Sequence, residues 1–207
     1  AAVRGYRCIF TIPDKMSAEK IGLLRAFGAE VVVTPSDVPP DHPDYYVNAA
    51  KRIAKETPGA FMANQHYNQE NPEAYYLTTG PEIWEQTKGK VTDVIATLGT
   101  TGTAMGLCKY FAENHPEVRV TAVEPFLGHK LQGLKNMKES YKPGIFDKTL
   151  PFQIINIPDD ESFKMSRELA HREGIFVGMS SGTAMCAALT RAEQIKNGVI
   201  VVILPDG

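Results

Sequence analysis

Short runs of β-branched and aliphatic residues alternate along this chain with helical patterns of ten or more residues. This alternation is typical of βαβ units, in which parallel strands are joined by crossover helices. The fold class is therefore predicted to be α/β, with open and mainly parallel sheets. The runs predict strands at 7–11, 30–34, 94–98, 119–123, 175–178 and 199–204.

A polar, asparagine-rich connection interrupts the alternation after residue 64. It reads NQHYNQENPEAYY and leads into a long helical pattern that contains the only tryptophan, Trp84. A connection of this composition favours a domain boundary, so we predict one domain over 1–64 and a second over 65–207. A second irregular stretch, 128–151, is longer than most connectors and is expected to be a functional loop.

Composition excludes several classes of function. The 22 basic and 24 acidic residues leave a net charge of −2, so no global field favours nucleic acid or an acidic membrane as a partner. The longest aliphatic run, VIVVIL, is far shorter than a bilayer span, and the first residues do not resemble a signal peptide, so we expect a cytoplasmic protein. The three cysteines are far apart in apolar or helical contexts, which favours buried thiols over disulfides or a metal site.

The segment VIATLGTTGTAMG predicts a strand, a tight turn and the start of a helix. In the turn, the backbone N–H groups of Gly99, Thr100, Thr101, Gly102 and Thr103 would point beyond the sheet edge. The helix N-terminus adds partial positive charge, and the threonine hydroxyls add further donors. Ligands of open α/β sheets bind at this edge, so the turn is a candidate phosphate site.

Three interpretations of this turn remain open from the residues themselves. A nucleoside triphosphate is disfavoured, because Gly102 is followed by Thr103 and Ala104 and not by lysine and a hydroxyl residue. A dinucleotide site is supported by Glu124, which lies about 20 residues downstream, but the glycine spacing does not match. The third interpretation is a glycine-rich connection without a ligand.

A second turn, in IFVGMSSGTAMCAAL, repeats the same design of a strand, a glycine, hydroxyl side chains and a helix of small residues. Ser180 would emerge at the end of its strand, near the same sheet edge. Two such turns could hold the two ends of one ligand. Alternatively, Ser180 or Ser181 is only a helix N-cap.

Taken together, GTTGT, the SSGT turn and NQHYNQENPEAYYLTTGPEIW resemble the pyridoxal-phosphate-dependent cysteine synthases, which share the fold of the tryptophan synthase β chain (PLP fold type II). The resemblance covers essentially the whole chain. Thr101 in the phosphate turn, with YKPGIFD and REGIFVGMSSG, is more similar to the B-type O-acetylserine or O-phosphoserine enzymes. Cystathionine β-synthase is the nearest alternative, and LPDG near the end is similar to it.

The resemblance implies a role for each matching residue. Gly99, Thr100, Thr101, Gly102 and Thr103 would hold the phosphate of pyridoxal 5'-phosphate, and Ser180 would bind the pyridine nitrogen. Gln65 would help to hold the substrate carboxylate. Some B-type enzymes carry paired arginines where this chain has Lys135 and Asn136, so Lys135 is expected to attract an anionic substrate without clamping it.

The resemblance also implies an activity and an assembly. A neutral serine at the ring nitrogen favours β-elimination over transamination, so the expected reaction is β-replacement on an O-activated serine by a sulfur donor. Residues 1–64 would belong to the smaller, mobile substrate-side domain, and the enzyme would be a homodimer. In the family the Schiff-base lysine lies in an N-terminal segment, so it is expected upstream of Ala1, and Lys15 matches a surface lysine instead. The isolated chain is therefore predicted to be inactive.

Two other classes of function are weighed against this hypothesis. The first is a dinucleotide-binding oxidoreductase, which Glu124 would support. The second is a phosphate-binding module without the Schiff-base lysine, and the sequence upstream of Ala1 would discriminate it from an enzyme.

Overall fold

The computed structural model describes residues 1–139 and 142–206. The chain divides into two compact units, Ala1–Ala63 and Asn64–Gly207, and each unit contains its own parallel sheet. Ser140 and Tyr141, which belong to the predicted loop 128–151, and Gly207 of the LPDG segment lie outside the described residues.

The first unit is built on two parallel strands. Strand β1 (Ile9–Pro13) pairs with β2 (Glu30–Thr34), with Ile9 opposite Glu30. Helix α1 (Ala18–Ala26) connects them, and α2 (Tyr46–Glu56) follows β2. The N-cap of α1 is Ser17, whose hydroxyl accepts the N–H of Lys20.

The second unit contains a four-stranded parallel sheet in the order β5-β4-β3-β6. Its strands are β3 (Asp93–Thr97), β4 (Arg119–Pro125), β5 (Phe152–Ile157) and β6 (Ile200–Val202). Its helices are α3 (Glu70–Ala74), α4 (Gly80–Gln86), α5 (Gly102–Asn114), α6 (Asp159–Glu168) and α7 (Met179–Ala192). A π-helical turn, Tyr75–Thr79, joins α3 to α4, and another, Leu169–Glu173, extends α6. None of the helices in the described part of the chain is long and apolar enough to cross a membrane.

Strand β3 is buried on both faces, which explains its continuous apolar sequence. Val94 and Ala96 point into a cluster with Phe111 of α5, whereas Ile95 points into a second cluster with Cys186 of α7. This alternation follows from the period of two residues in a strand. The two central elements α5 and α7 are therefore fixed to opposite faces of the same strand.

The predicted α/β class and the parallel sheets are confirmed, but one predicted strand is absent and one observed strand was not predicted. The segment 175–178 is not a strand, and Phe176 within it is 87% exposed. Its backbone is held by single hydrogen bonds, such as Gly178 N–H to Asp206 O, rather than by a strand ladder. Strand β5 was missed because FQIINI follows a proline and interrupts its apolar residues with Gln153 and Asn156.

Helix α5 approaches α3 closely at Gly106. A Cβ atom there would overlap the carbonyl oxygen of Pro72 and lie 2.8 Å from Tyr75 Cβ. Gly106→Ala is expected to lower the free energy of unfolding by about 1–3 kcal/mol, because this overpacking outweighs the better helix propensity of alanine. The measurement is urea unfolding followed by circular dichroism.

The matched control for this substitution is Gly22→Ala in α1. Nothing lies within 4 Å of a Cβ atom at Gly22, so only the propensity gain of roughly 0.5–1 kcal/mol remains. Equal changes in both variants would contradict close packing of α3 on α5.

Candidate functional site

The glycine-threonine turn lies at the carboxyl end of β3, the central buried strand. Leu98 N–H still bonds to Val123 O of β4 at 2.8 Å, and α5 begins four residues later, at Gly102. Gly99 cannot carry a side chain, because a Cβ atom would overlap Gly133 O. The turn therefore places the first N–H groups of α5 at the carboxyl end of β3, the side on which open α/β sheets bind their ligands.

Thr101 has two features that suit a ligand site. Its φ of +75° lies in the left-handed region, which is uncommon for a β-branched residue and occurs most often where surrounding structure over-determines the backbone. Its side chain is only 2% exposed, and its hydroxyl oxygen has no hydrogen-bond partner among the described residues. A buried hydroxyl without a partner is costly, so a bound anion would offset this cost.

The side chain of Asn71 also contacts this turn, and sequence reasoning missed it. Its Nδ2 donates to Gln65 O at 2.7 Å and to Thr100 Oγ1 at 3.2 Å. A Cβ atom on Gly102 would overlap the amide of Asn71. The segment that carries Gln65 is therefore tied directly to the glycine-threonine turn.

The second hydroxyl turn opens helix α7, and the carboxylate of Asp206 caps it. Asp206 accepts hydrogen bonds from Ser180 N–H at 3.1 Å and Ser181 N–H at 2.9 Å, and also from the Ser181 hydroxyl. Sequence reasoning missed Asp206, although it follows β6 and so lies beyond the carboxyl end of the same sheet. Ser180 itself is 5% exposed and lies in the first turn of α7.

Asp206 should stabilise the second unit in a pH-dependent way. Burial acts to raise the pKa of its carboxyl, but the hydrogen bonds from Ser180 and Ser181 outweigh burial, so the pKa lies below its ordinary value of 3.8. The stabilisation is therefore complete above about pH 4 and is lost as the pH falls through the lower folded-state pKa. Asp206→Asn is expected to cost about 1–2 kcal/mol at pH 7 in urea unfolding, as loss of a cap does.

The same measurement repeated between pH 7 and pH 3 tests the cause. The difference between wild type and Asp206→Asn should shrink at the acid end, because the carboxyl of the unfolded wild type binds a proton near its ordinary pKa of 3.8 while the lowered pKa of the folded state resists protonation. A difference that is constant with pH would show that the charge of Asp206 does not contribute.

One segment, which we call the bridging loop (residues 128–139), contacts both hydroxyl turns. Gln132 N–H donates to the sulfur of Met179, next to Ser180, at 3.3 Å, and Lys135 N–H donates to Leu98 O at 2.8 Å. Gln132 and Lys135 are three residues apart, which limits their separation to about 11 Å even in an extended chain. The two turns therefore lie close together at one edge of the sheet.

Glu124 anchors the bridging loop from beneath and does not face a ligand. It is 4% exposed, and its carboxylate accepts Met137 N–H at 2.7 Å and the Asn156 amide at 3.1 Å. The Asn136 amide donates to Pro125 O at 2.7 Å alongside it. Because both oxygens of Glu124 bind the protein itself, this residue does not support a dinucleotide site.

Gln65, His66 and Lys135 lie near one another beside the glycine-threonine turn. Gln65 is exposed, whereas His66 is buried, and burial, with a smaller effect of the Lys135 charge, lowers the pKa of the His66 imidazole. Lys135 Nζ lies 3.9 Å from Glu139 Oε2, and the Lys135 side chain is 21% exposed. A neutral imidazole and a partly exposed lysine side chain, which lies beside Glu139, therefore border the turn.

Two cysteines lie in the core beside these elements but are unsuited to nucleophilic chemistry. Burial raises the pKa of the Cys108 thiol to about 12, with a smaller contribution from the charge of Asp147. Burial also raises the pKa of the Cys186 thiol to about 11. Both thiols are protonated at neutral pH, and only a thiolate is an effective nucleophile.

Comparison with known proteins decides the family. The model of the family described as "Pyridoxal-phosphate dependent enzyme" matches residues 1–206, which is nearly the whole chain. The chain belongs to this pyridoxal-phosphate-dependent enzyme family. Pyridoxal phosphate is therefore the cofactor against which the two hydroxyl turns must be assessed, and the unpartnered Thr101 hydroxyl and the donors at the start of α5 fit its phosphate.

Individual proteins that are similar to this chain agree with the family assignment. Cysteine synthase B of Pseudomonas aeruginosa is 35% identical over 206 residues, covering 100% of this chain and 68% of the relative. Cystathionine beta-synthase of Dictyostelium discoideum is 37% identical, covering 99% of this chain and 43% of the relative. The crystal structure of O-ureido-L-serine synthase superimposes with a TM-score of 0.88 and 31% identity, covering 100% of this chain and 67% of that chain.

These relatives confirm the predicted tryptophan synthase β-chain-like fold of PLP fold type II. The chain spans about two thirds of the cysteine synthase B length and less than half of the cystathionine beta-synthase length.

Proposed function

We propose that the protein containing this chain makes L-cysteine by pyridoxal-phosphate-dependent β-replacement, from O-acetylserine or O-phosphoserine and a sulfur donor. The observation that carries the proposal is the pair of hydroxyl turns that the bridging loop contacts at one sheet edge. The similarity to cysteine synthase B supports the substrate class.

Gly99, Thr100, Thr101, Gly102 and Thr103 are the residues that would hold the cofactor phosphate. A phosphate dianion suits several converging N–H and O–H donors at a helix start, and such a site does not require lysine. The buried Thr101 hydroxyl would gain its missing partner. Gly99 and Gly102 leave no room for side chains, which keeps the backbone close to the ligand.

Ser180 would bind the ring nitrogen of the cofactor. When bound, pyridoxal phosphate supplies an electron sink for the substrate amino acid. A serine hydroxyl, unlike a carboxylate, does not force the ring nitrogen to stay protonated. The nearby Asp206 carboxylate is occupied by the N–H groups of Ser180 and Ser181, so its charge serves the helix cap.

Gln65 and Lys135 would recognise the substrate. Gln65 would bind the carboxylate of the substrate, and Lys135 would attract a second anionic group of the substrate. The lysine that holds the cofactor covalently is proposed to lie upstream of Ala1. Residues 1–64 are proposed to be part of the smaller substrate-side domain. The proposed enzyme is a cytoplasmic homodimer.

A second candidate is condensation of serine with homocysteine, and the 37% identity to cystathionine beta-synthase of Dictyostelium discoideum favours it. A phosphate-binding module without the lysine is the non-enzymatic alternative.

The experiment is an assay of the full-length protein with pyridoxal phosphate and either O-acetylserine and sulfide or serine and homocysteine.

Cysteine formation that requires the cofactor is expected from the first pair of substrates. Product from the second pair alone would favour the cystathionine synthase activity. Cofactor binding without either product would favour the binding module, and both activities would then be rejected.

Lys135 provides a test of substrate choice. Lys135→Met should raise the KM for O-phosphoserine up to about fivefold and leave that for O-acetylserine unchanged, because a partly exposed charge contributes at most about 1 kcal/mol. Added salt should weaken the same interaction in the wild type. The measurement is steady-state kinetics of the full-length protein at two ionic strengths.

Lys138→Met is the control, since Lys138 is exposed in the same loop. If Lys135→Met and Lys138→Met give the same KM for O-phosphoserine, Lys135 does not interact with the charged group of the substrate.

A further inference from the structure

The amide of Asn71 contacts one hydroxyl of the glycine-threonine turn, that of Thr100. Asn71 is half-buried in α3, and its Nδ2 lies 2.7 Å from Gln65 O and 3.2 Å from Thr100 Oγ1. The backbone carbonyl of Gln65 can only accept a hydrogen bond. The atom that faces it must therefore be the NH₂ group of Asn71, which fixes the orientation of the amide.

This orientation determines the role of the Thr100 hydroxyl. Its oxygen accepts from Asn71 Nδ2, and Gly102 N–H approaches the same oxygen at 3.5 Å. A hydroxyl has two acceptor lone pairs and one hydrogen to donate. Because donors face both lone pairs, the hydroxyl hydrogen of Thr100 remains available for an acceptor other than Asn71 and Gly102.

The packing of α3 on α5 holds Asn71 in this position. Pro72, the next residue, packs its carbonyl against Gly106, and Asn71 itself packs against Gly102. Both contacts require glycine on the facing side of α5. Asn71 therefore reaches Thr100 from a backbone that has little freedom to shift.

We propose that Asn71 is a positioning residue that fixes the Thr100 hydroxyl as a donor to the cofactor phosphate and links this donor to the segment carrying Gln65. This inference rests on the proposed function, because it needs a phosphate at the glycine-threonine turn. Asn71 acts through Thr100 and does not itself touch the phosphate.

The experiment is a thermodynamic cycle on cofactor affinity. Pyridoxal phosphate is titrated into the cofactor-stripped full-length protein, using wild type, Asn71→Ala, Thr100→Val and the double variant. Asn71→Ala is expected to weaken binding several-fold in the wild type but to have almost no effect when Thr100 is already valine. Equal effects in the two backgrounds would overturn the inference, because a merely structural role is additive.

Asn71→Asp is a second variant for the same titration, and it is expected to have a larger effect than Asn71→Ala. A carboxylate at this position can only accept, so it would take the Thr100 hydroxyl hydrogen away from the phosphate and repel the dianion. We expect affinity to fall roughly tenfold or more, beyond the loss in Asn71→Ala. The ³¹P resonance of the bound phosphate should also shift relative to wild type.

The outcomes separate this inference from the proposed function. If the wild-type protein does not bind pyridoxal phosphate saturably, the proposed function fails. If wild type binds and Thr100→Val binds weakly, but Asn71→Ala and Asn71→Asp bind as wild type does, only the role of Asn71 is rejected. Should Asn71→Asp fail to fold, the alanine cycle decides the question alone.

Discussion

Arg191→Ala is expected to lower the free energy of unfolding of the second unit by about 3–5 kcal/mol, because it leaves the buried Asp93 carboxylate without a charged partner. Arg191 Nε lies 2.6 Å from Asp93 Oδ1, and the Asp93 side chain is 2% exposed. The pair joins α7 to the start of β3. The measurement is urea unfolding monitored by the fluorescence of Trp84, the only tryptophan.

Arg7→Ala is the matched control, since Arg7 and Glu30 form an ion pair of 2.9 Å with side chains that are 72% and 53% exposed. An exposed pair is worth at most about 1 kcal/mol, so circular dichroism should detect little loss. If Arg7→Ala and Arg191→Ala lower the free energy of unfolding by similar amounts, the Arg191–Asp93 pair does not behave as a buried ion pair. Replacing Arg191 and Asp93 together by methionine and asparagine should cost less than Arg191→Ala, because no charge is left unpaired.

Thr100→Val and Thr103→Val are each expected to weaken pyridoxal phosphate binding roughly 10- to 150-fold, which corresponds to about 1.5–3 kcal/mol for a hydrogen bond to a charged group. Thr100 lies in the turn just before α5 and Thr103 lies in its first turn, where the phosphate is proposed to bind. The measurement is the dissociation constant of the cofactor, from titration of the stripped full-length protein.

Thr190→Val is the control for the loss of a threonine hydroxyl. Thr190 lies in α7, where its hydroxyl bonds to Cys186 O at 3.1 Å, away from both turns. Its substitution should leave cofactor affinity unchanged. Unchanged affinity in all three variants would remove the phosphate assignment from this turn.

Most of the strands and the glycine-threonine turn could be predicted because their signals are local. The continuous apolar run of β3 and the following GTTGT determine where the strand ends and the helix begins. Strand β5 could not be predicted, since it lies at the edge of its sheet, where Ile154 is 42% exposed and polar residues interrupt the apolar pattern. The segment 175–178 has the composition of a strand, but no strand pairs with it among the described residues.

The contacts that sequence reasoning missed join residues that are distant along the chain. Asn71 and Thr100 are 29 positions apart, and Ser181 and Asp206 are 25 apart. Local patterns carry no information about such pairs. Glu124 shows the opposite error, because its spacing from the turn matched a dinucleotide site while its carboxylate binds Met137 and Asn156 of its own chain.

The glycine-threonine turn is proposed to hold the phosphate of pyridoxal phosphate. This proposal is tested most directly by comparing the affinities of pyridoxal phosphate and of pyridoxal, which lacks the phosphate, for the cofactor-stripped full-length protein. We predict that wild type binds pyridoxal phosphate far more tightly than pyridoxal, and that this preference shrinks in the variant with valine at both Thr100 and Thr103. Equal affinity of wild type for the two compounds, or an undiminished preference in the double variant, would contradict the claim.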